Sequence, residues 1–270
     1  DLPALGWLII TVPAAIVWAG LAFKYKGHVL TNGSAILALG GLGFLIPSFG
    51  LEWHWGLGAV AIGSSAITYF SNRLYRLGMN EAGKYLFWSS QVLLLMLLFI
   101  ALQAWGVERV SLYPVGVILG AGAITSAIVL HDRASQAYNG YTYCLLLLPP
   151  AALIAVMLEW EVVPKDWFGL LPAAAALFYA MLCTKYLAMP RRFSFGRLVD
   201  DDAWSNPIFA SAILACVGAC LWPDFDQLSK AVTLLVITPP LWVTLRSREY
   251  DDLMLAVGIP IVGGFLLLLN

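Results

Sequence analysis

The chain has 270 residues, of which 61% are hydrophobic and 11% charged, and its net charge is −1. Soluble domains run at about 45–50% apolar and about 25% charged, so composition excludes a water-soluble fold and points to a bilayer as the solvent for this much apolar surface. The near-zero charge gives no reason to expect nucleic acid as a partner.

Apolar runs close to the roughly 20 residues that cross a hydrocarbon core occur ten times. They lie at about 4–23, 29–47, 55–71, 85–105, 110–130, 143–158, 167–188, 207–222, 230–245 and 252–269. Backbone groups in lipid need partners within the segment, and runs this continuous are unlike the alternating strands of a barrel, so they read as helices. The first is followed by Lys24 and Lys26, which is a stop-transfer pattern and not a secretory leader. Because the sequence opens on Asp1, a processed product or a fragment is expected. Pro149-Pro150 and Pro239-Pro240 fall inside the sixth and ninth runs, where they are predicted to kink or interrupt the helix. The expected fold is an all-α, polytopic transmembrane helical bundle forming one domain over 1–270. Its roughly ten helices pair as five hairpins, at about 1–50, 55–105, 110–162, 167–222 and 230–269.

Basic residues set the expected orientation. Twelve lysines and arginines follow the odd-numbered runs, among them Arg73, Arg76, Arg133, Arg191 and Arg192, which read as cytoplasmic anchors. Only Arg109, Lys165 and Lys230 follow the even-numbered ones. This positive-inside bias predicts a bacterial inner-membrane protein with both termini on the non-cytoplasmic side. Trp7, Trp53, Trp55, Trp105, Trp160, Trp167 and Trp222 fall at the predicted outer ends, as interfacial tryptophans do.

Two of the hairpins carry a shared phrase. AITYFSNRLYRLGMNEAGKY from Ala66 and AITSAIVLHDRASQAYNGYT from Ala123 align at a shift of 57 residues, matching Thr68 with Thr125, Arg76 with Arg133 and Gly83 with Gly140. Small residues four apart, Ala59/Gly63 in one copy and Gly116/Gly120 in the other, are expected to let helix backbones approach closely. The repetition thus predicts a preserved packing face and a basic anchor.

Candidate chemistry is sparse. Ionisable groups at mid-membrane depth mark transport or proton relay, yet the runs hold almost only neutral polar side chains. Ser64, Ser65, Thr68, Thr125 and Ser126 are the candidate polar path, and Thr11, Ser34, Ser89, Ser90, Gln91, Thr184, Ser211, Thr233 and Thr238 are further neutral polar residues in the runs. Asp200, Asp201 and Asp202, after Arg191, Arg192 and Arg197, form a candidate magnesium-diphosphate site. Their alternative reading is a solvated acidic lead into the helix that begins near Pro207. Glu52-Trp53-His54-Trp55 offers either a metal ligand pair or an interfacial anchor, and His131-Asp132-Arg133 either an acid–base group or an anchor. Asn32-Gly33-Ser34 is a sequon in form, on the predicted cytoplasmic side. Cys144, Cys183, Cys216 and Cys220 sit in apolar runs as small core residues, and no motif predicts a cofactor.

Three functions are expected in decreasing order. The first is a non-catalytic membrane subunit or scaffold that contacts the lipid bilayer and other membrane proteins or copies of itself. The second is a passive channel or uniporter with the neutral hydroxyls lining its path; the five-hairpin layout is similar in outline to the tellurite-resistance and slow-anion-channel family. The third is a lipid-linked phosphate or prenyl transferase built on the aspartate run.

Overall fold

A computed structural model describes residues 2–25, 27–108, 110–132, 139–188, 201–222, 226–246 and 251–269, with only the backbone described at 2–5, 108, 132, 139, 184–188, 201–205 and 251–252. Arg133, Arg191, Arg192 and Asp200 lie outside the described residues, as do the side chains of Asp201 and Asp202. Ten α-helices make up the fold, and there is no strand among the described residues. They are α1 (Leu2–Tyr25), α2 (His28–Ser48), α3 (Trp53–Arg76), α4 (Asn80–Glu108), α5 (Tyr113–Asp132), α6 (Asn139–Glu159), α7 (Leu170–Ala188), α8 (Asp201–Leu221), α9 (Gln227–Arg246) and α10 (Gly258–Leu269). Short 3-10 turns at Lys165–Trp167 and Asp251–Val257 precede α7 and α10.

Seven of these helices, α1, α2, α4, α5, α6, α7 and α9, are long and apolar enough to cross a membrane. The other three are not among these seven, for two different reasons. In α8 and α10 the apolar stretches among the residues with described side chains are shorter, Asn206–Leu221 and Leu253–Leu269. Helix α3 is 24 residues long, but small and polar residues occupy its inward side: His54, Gly56, Gly58, Ala61, Ser64, Ser65, Thr68, Ser71 and Asn72 are all buried. Its exposed side carries Ile62 and Phe70. A helix that is polar toward the protein and apolar outward is built for a surrounding that is itself apolar.

The chain divides into two compact units, Asp1–Arg133 and Ala134–Asn270. In the first, α3 is central and packs against α2, α4 and α5, while α1 packs along α2. The contacts fix the directions. Gly43 near the end of α2 lies against Gly56 near the start of α3, and Leu39 against Gly63, so these helices are antiparallel. Gly58 meets Val117, and Ser65 meets Ala121, so α5 runs parallel to α3. One end of the unit therefore gathers the last turns of α1, α3 and α5 with the first turns of α2 and α4. At the opposite end Trp7 stacks on Phe44 and Trp55 on Tyr113, with ring centroids 6.0 and 5.8 Å apart.

In the second unit α7, α8 and α9 pack on one another, α6 packs on α8, and α10 on α9. Its core is lined by small side chains. Ala173, Ala176, Ala180 and Cys183 of α7 and Ala212, Cys216 and Ala219 of α8 are buried, at three- and four-residue spacing. This is the small-residue interface by which helices approach closely in lipid. The expected third hairpin, 110–162, falls across the division between the units.

The proline pairs do not interrupt their helices. α6 is continuous through Pro149 and Pro150, and α9 through Pro239 and Pro240. A proline has no N–H to give, so Pro150 releases the carbonyl of Leu146 from its helical bond. The hydroxyl of Tyr179, fully buried on α7, donates to that carbonyl. Pro47 likewise releases the carbonyl of Gly43 in α2. A Cβ placed on Gly56 would stand 2.5 Å from that oxygen, so only glycine lets α3 approach it.

Candidate functional site

The densest polar grouping among the described residues lies midway along α3, between α4 and α5. Successive residues on a helix point about 100° apart, and Ser64 and Ser65 use that angle to reach different neighbours. The Ser64 hydroxyl donates to the carbonyl of Ser90 on α4 at 2.9 Å. The Ser65 hydroxyl donates to the carbonyl of Ala121 on α5, also at 2.9 Å. One turn on, Thr68 Oγ1 lies 2.9 Å from Ser90 Oγ. The Gln91 amide closes the group by donating to Ser90 Oγ at 3.1 Å and Thr68 Oγ1 at 3.3 Å. From α5, Thr125 donates to Ser65 Oγ at 2.9 Å. Ser126 instead bonds back to Gly122 O of its own helix.

Ser64, Ser65, Thr68, Ser90, Thr125 and Ser126 are each no more than 4% exposed. Buried polar groups demand partners; Ser64, Ser65, Thr68, Ser90 and Thr125 find them on adjacent helices, while Ser65, Thr68 and Ser90 also bond back within their own helices, as Ser126 does. All the members are neutral. Such a group orients and locks helices; it holds no nucleophile–base pair and no charge that would bind an ion by itself. The structure brings together four of the five residues of the sequence-derived polar path, and adds Ser90 and Gln91, which that path omitted. Their signal was present in the chain: Ser90 lies one turn beyond Phe87, on the buried side of α4 with Leu86 and Leu94.

The two segments that align at a shift of 57 residues begin on α3 and α5, and these two helices meet in this site. Ser65 contacts Ala121 and Thr125 at sequence separations of 56 and 60, which bracket the 57-residue shift of the repeated phrase. α3 and α5 thus lie side by side, parallel, and in the register of that shift. Of the small-residue steps, Gly63 is tight: a Cβ there would be 2.7 Å from both Leu39 and Leu42 of α2. Ala59 is partly buried and Gly116 buried, but Gly120 has nothing within 4 Å of the position its Cβ would take.

The remaining candidates are scattered. His54 is buried at the start of α3, with Nε2 3.0 Å from Glu52 Oε2 and its ring near Trp53 and Trp55. No group of three histidine, cysteine or acidic residues with metal-holding geometry occurs among the described residues. Asp201 and Asp202 begin α8, so the helix starts earlier than the expected Pro207 and takes them into its first turn. His131 is exposed in the last turn of α5. Arg73 and Arg76 fall in the last turn of α3, not in a loop, and the Arg73 guanidinium donates to Tyr69 Oη through Nη2 at 2.8 Å and Nε at 3.1 Å. The cysteines are free thiols, with Cys183 and Cys216 buried.

What the fold and this site define is an all-helical chain, among its described residues, with seven helices long and apolar enough to cross a membrane and with inner polar groups that join helix to helix. No protein-family model, curated protein or solved structure matches the chain.

Proposed function

We propose that this chain is an integral membrane subunit, a non-catalytic scaffold that packs in the bilayer against other membrane proteins or copies of itself. Its setting is a bacterial inner membrane, with the arginine-bearing helix ends cytoplasmic and both termini on the other side. The internal repetition serves that role by duplicating a packing face, which α3 and α5 then turn toward one another. The observation that carries the reading is the hydroxyl group at Ser64, Ser65, Thr68, Ser90 and Thr125, each of which hydrogen-bonds across to a neighbouring helix. A solute path needs such groups turned to an opening, where they replace hydration; groups bonded to one another and buried are suited to packing.

The outward surface supports the same reading. Helices α1 and α10 expose large apolar side chains along much of their length, including Ile10, Ile16 and Phe23 on α1 and Ile259, Val262 and Phe265 on α10. Purification in mild detergent followed by native mass spectrometry tests the proposal. A stoichiometric assembly with another membrane protein, or a defined homo-oligomer, is expected. A lone monomer that passes small solutes when reconstituted would favour the channel reading instead.

A further inference from the structure

Resting on the reading of the chain as membrane-embedded, we propose that the basic end of the first unit binds the phosphate headgroups of anionic phospholipids. The antiparallel packing of α1 to α4 brings four exposed cations to that end: Lys24 at the close of α1, Arg73 and Arg76 at the close of α3, and Lys84 near the start of α4. The turn Leu77–Met79 is short, and Gly83 sits against Ser71 O, which sets the first turns of α4 beside the last of α3. His28 of α2 stacks on Tyr85 of α4 at 5.0 Å, which ties the first hairpin to the same end. Glu81 is the one acidic side chain described there.

Helix electrostatics account for part of this pattern and leave part unexplained. A cation in the last turn offsets the carbonyl end of the dipole, which suits Lys24, Arg73 and Arg76. Lys84, in the second turn of α4, lies three residues from Glu81, the one carboxylate described at this end, so four cations there face one acid. That excess of positive charge is what an anion from outside the protein would offset.

The surface one turn deeper says which anion. Phe70 lies three residues from Arg73, and Trp88 four residues from Lys84, so each aromatic shares a helix face with its cation. Both rings are exposed, as is Phe23 beside Lys24. Tyrosines lie at the cations themselves: Arg73 is held over the Tyr69 ring at 5.4 Å and Lys24 over Tyr25 at 5.3 Å. Cations with exposed aromatic rings beside them and within one turn match a phosphodiester headgroup with its acyl chain. A free phosphate ion would need only the cations. Juxtamembrane basic clusters attract anionic leaflets by the same charge complementarity.

The test uses the whole chain in nanodiscs of neutral phosphatidylcholine with increasing phosphatidylglycerol, read by native mass spectrometry of the lipids retained. Incorporation into purely neutral nanodiscs is scored first. Failure there sinks the membrane reading and this inference with it; incorporation without preferential retention of phosphatidylglycerol sinks this inference alone. The expected result is selective retention that falls about fivefold for each cation removed in Arg73→Gln, Arg76→Gln and Lys84→Gln, and that survives in Arg73→Lys. Equal retention by the wild type and the triple variant would overturn the proposal. So would displacement of the bound lipid by millimolar inorganic phosphate, which would assign the site to the free ion.

Discussion

Thr125 on α5 donates its hydrogen bond to Ser65 Oγ on α3 at 2.9 Å, and Ser65 passes its own to the carbonyl of Ala121, one turn back on α5. Two bonds in sequence thus clamp these parallel helices. Thr125→Val keeps the shape and removes one donor, and is expected to cost about 0.6 kcal/mol, the usual worth of an interhelical bond in lipid. Ser65→Ala removes both links and is expected to cost about twice that, within the measured ceiling for single sites. A double-mutant cycle read by denaturation in mixed micelles should give a coupling of about 0.5 kcal/mol or more. Simple additivity would show that the bond carries no energy.

The approach of α2 to α3 depends on Gly56. Any Cβ there meets Gly43 O at 2.5 Å, an oxygen that Pro47 has released from its helix. Gly56→Ala is therefore expected to destabilise by about 1–3 kcal/mol, the range for overpacking a tight contact. Gly120→Ala is the control from the sister helix. Its position is open, so the change should be neutral or gain up to about 1 kcal/mol of helix propensity. Equal losses at the two sites would contradict the assigned contact.

In α6 the Leu146 carbonyl that Pro150 releases is served by the Tyr179 hydroxyl. Tyr179→Phe leaves that buried acceptor without its donor and is expected to cost about 1–3 kcal/mol. Pro150→Ala restores a backbone N–H at the right place. In that background Tyr179→Phe should cost distinctly less, as measured by the shift in thermal midpoint in detergent. An unchanged cost would mean that the tyrosine acts through packing alone.

The apolar runs located all ten helices, because a lipid-facing stretch is written in composition and needs no partner to be recognised. The ends were less legible. α3 extends from Trp53 to Arg76, past the expected 55–71, because its ends carry the polar residues His54, Asn72, Arg73 and Arg76, which hydropathy counts as loop. Asp201 and Asp202 fall outside the apolar run for the same compositional reason, though an acidic first turn suits a helix. Ser64, Ser65, Thr68, Thr125 and Ser126 stand out in the sequence as a candidate path because neutral polar residues are conspicuous in an apolar run; the first four lie together in the fold, and Ser126 bonds within its own helix. Sequence does not show whether such residues face water or one another. That depends on the partner helix: Ser90 and Gln91, neutral polar residues outside the expected path, join the group through α4. The sequence marks Cys183 and Cys216 as small core residues, but the alanine faces beside them on α7 and α8 are not legible, because small apolar residues look alike on every side of a helix.

Lys230, near the start of α9, donates to the carbonyls of Cys220 and Trp222 at the close of α8. These carbonyls lack helical partners, and a lysine is a natural cap for them. Lys230→Met preserves the stem and removes the donor, so a loss of about 1 kcal/mol is expected. Faster hydrogen exchange confined to residues 216–230 should accompany it. A loss spread evenly over the second unit would argue against a local cap.

The reading of the hydroxyl group as helix packing, with no solute path, is tested most directly by its access to water. Ser64→Cys, Ser65→Cys, Thr68→Cys and Thr125→Cys would be made one at a time in a background with Cys144, Cys183, Cys216 and Cys220 changed to alanine. Each would be exposed in proteoliposomes to a membrane-impermeant methanethiosulfonate reagent, with Leu77→Cys, in the exposed turn after α3, as the reactive reference. The account predicts rapid modification at 77 and none at the four inner positions. Modification at 64 and 125 at a rate approaching that at 77 would place them on an aqueous route and contradict it.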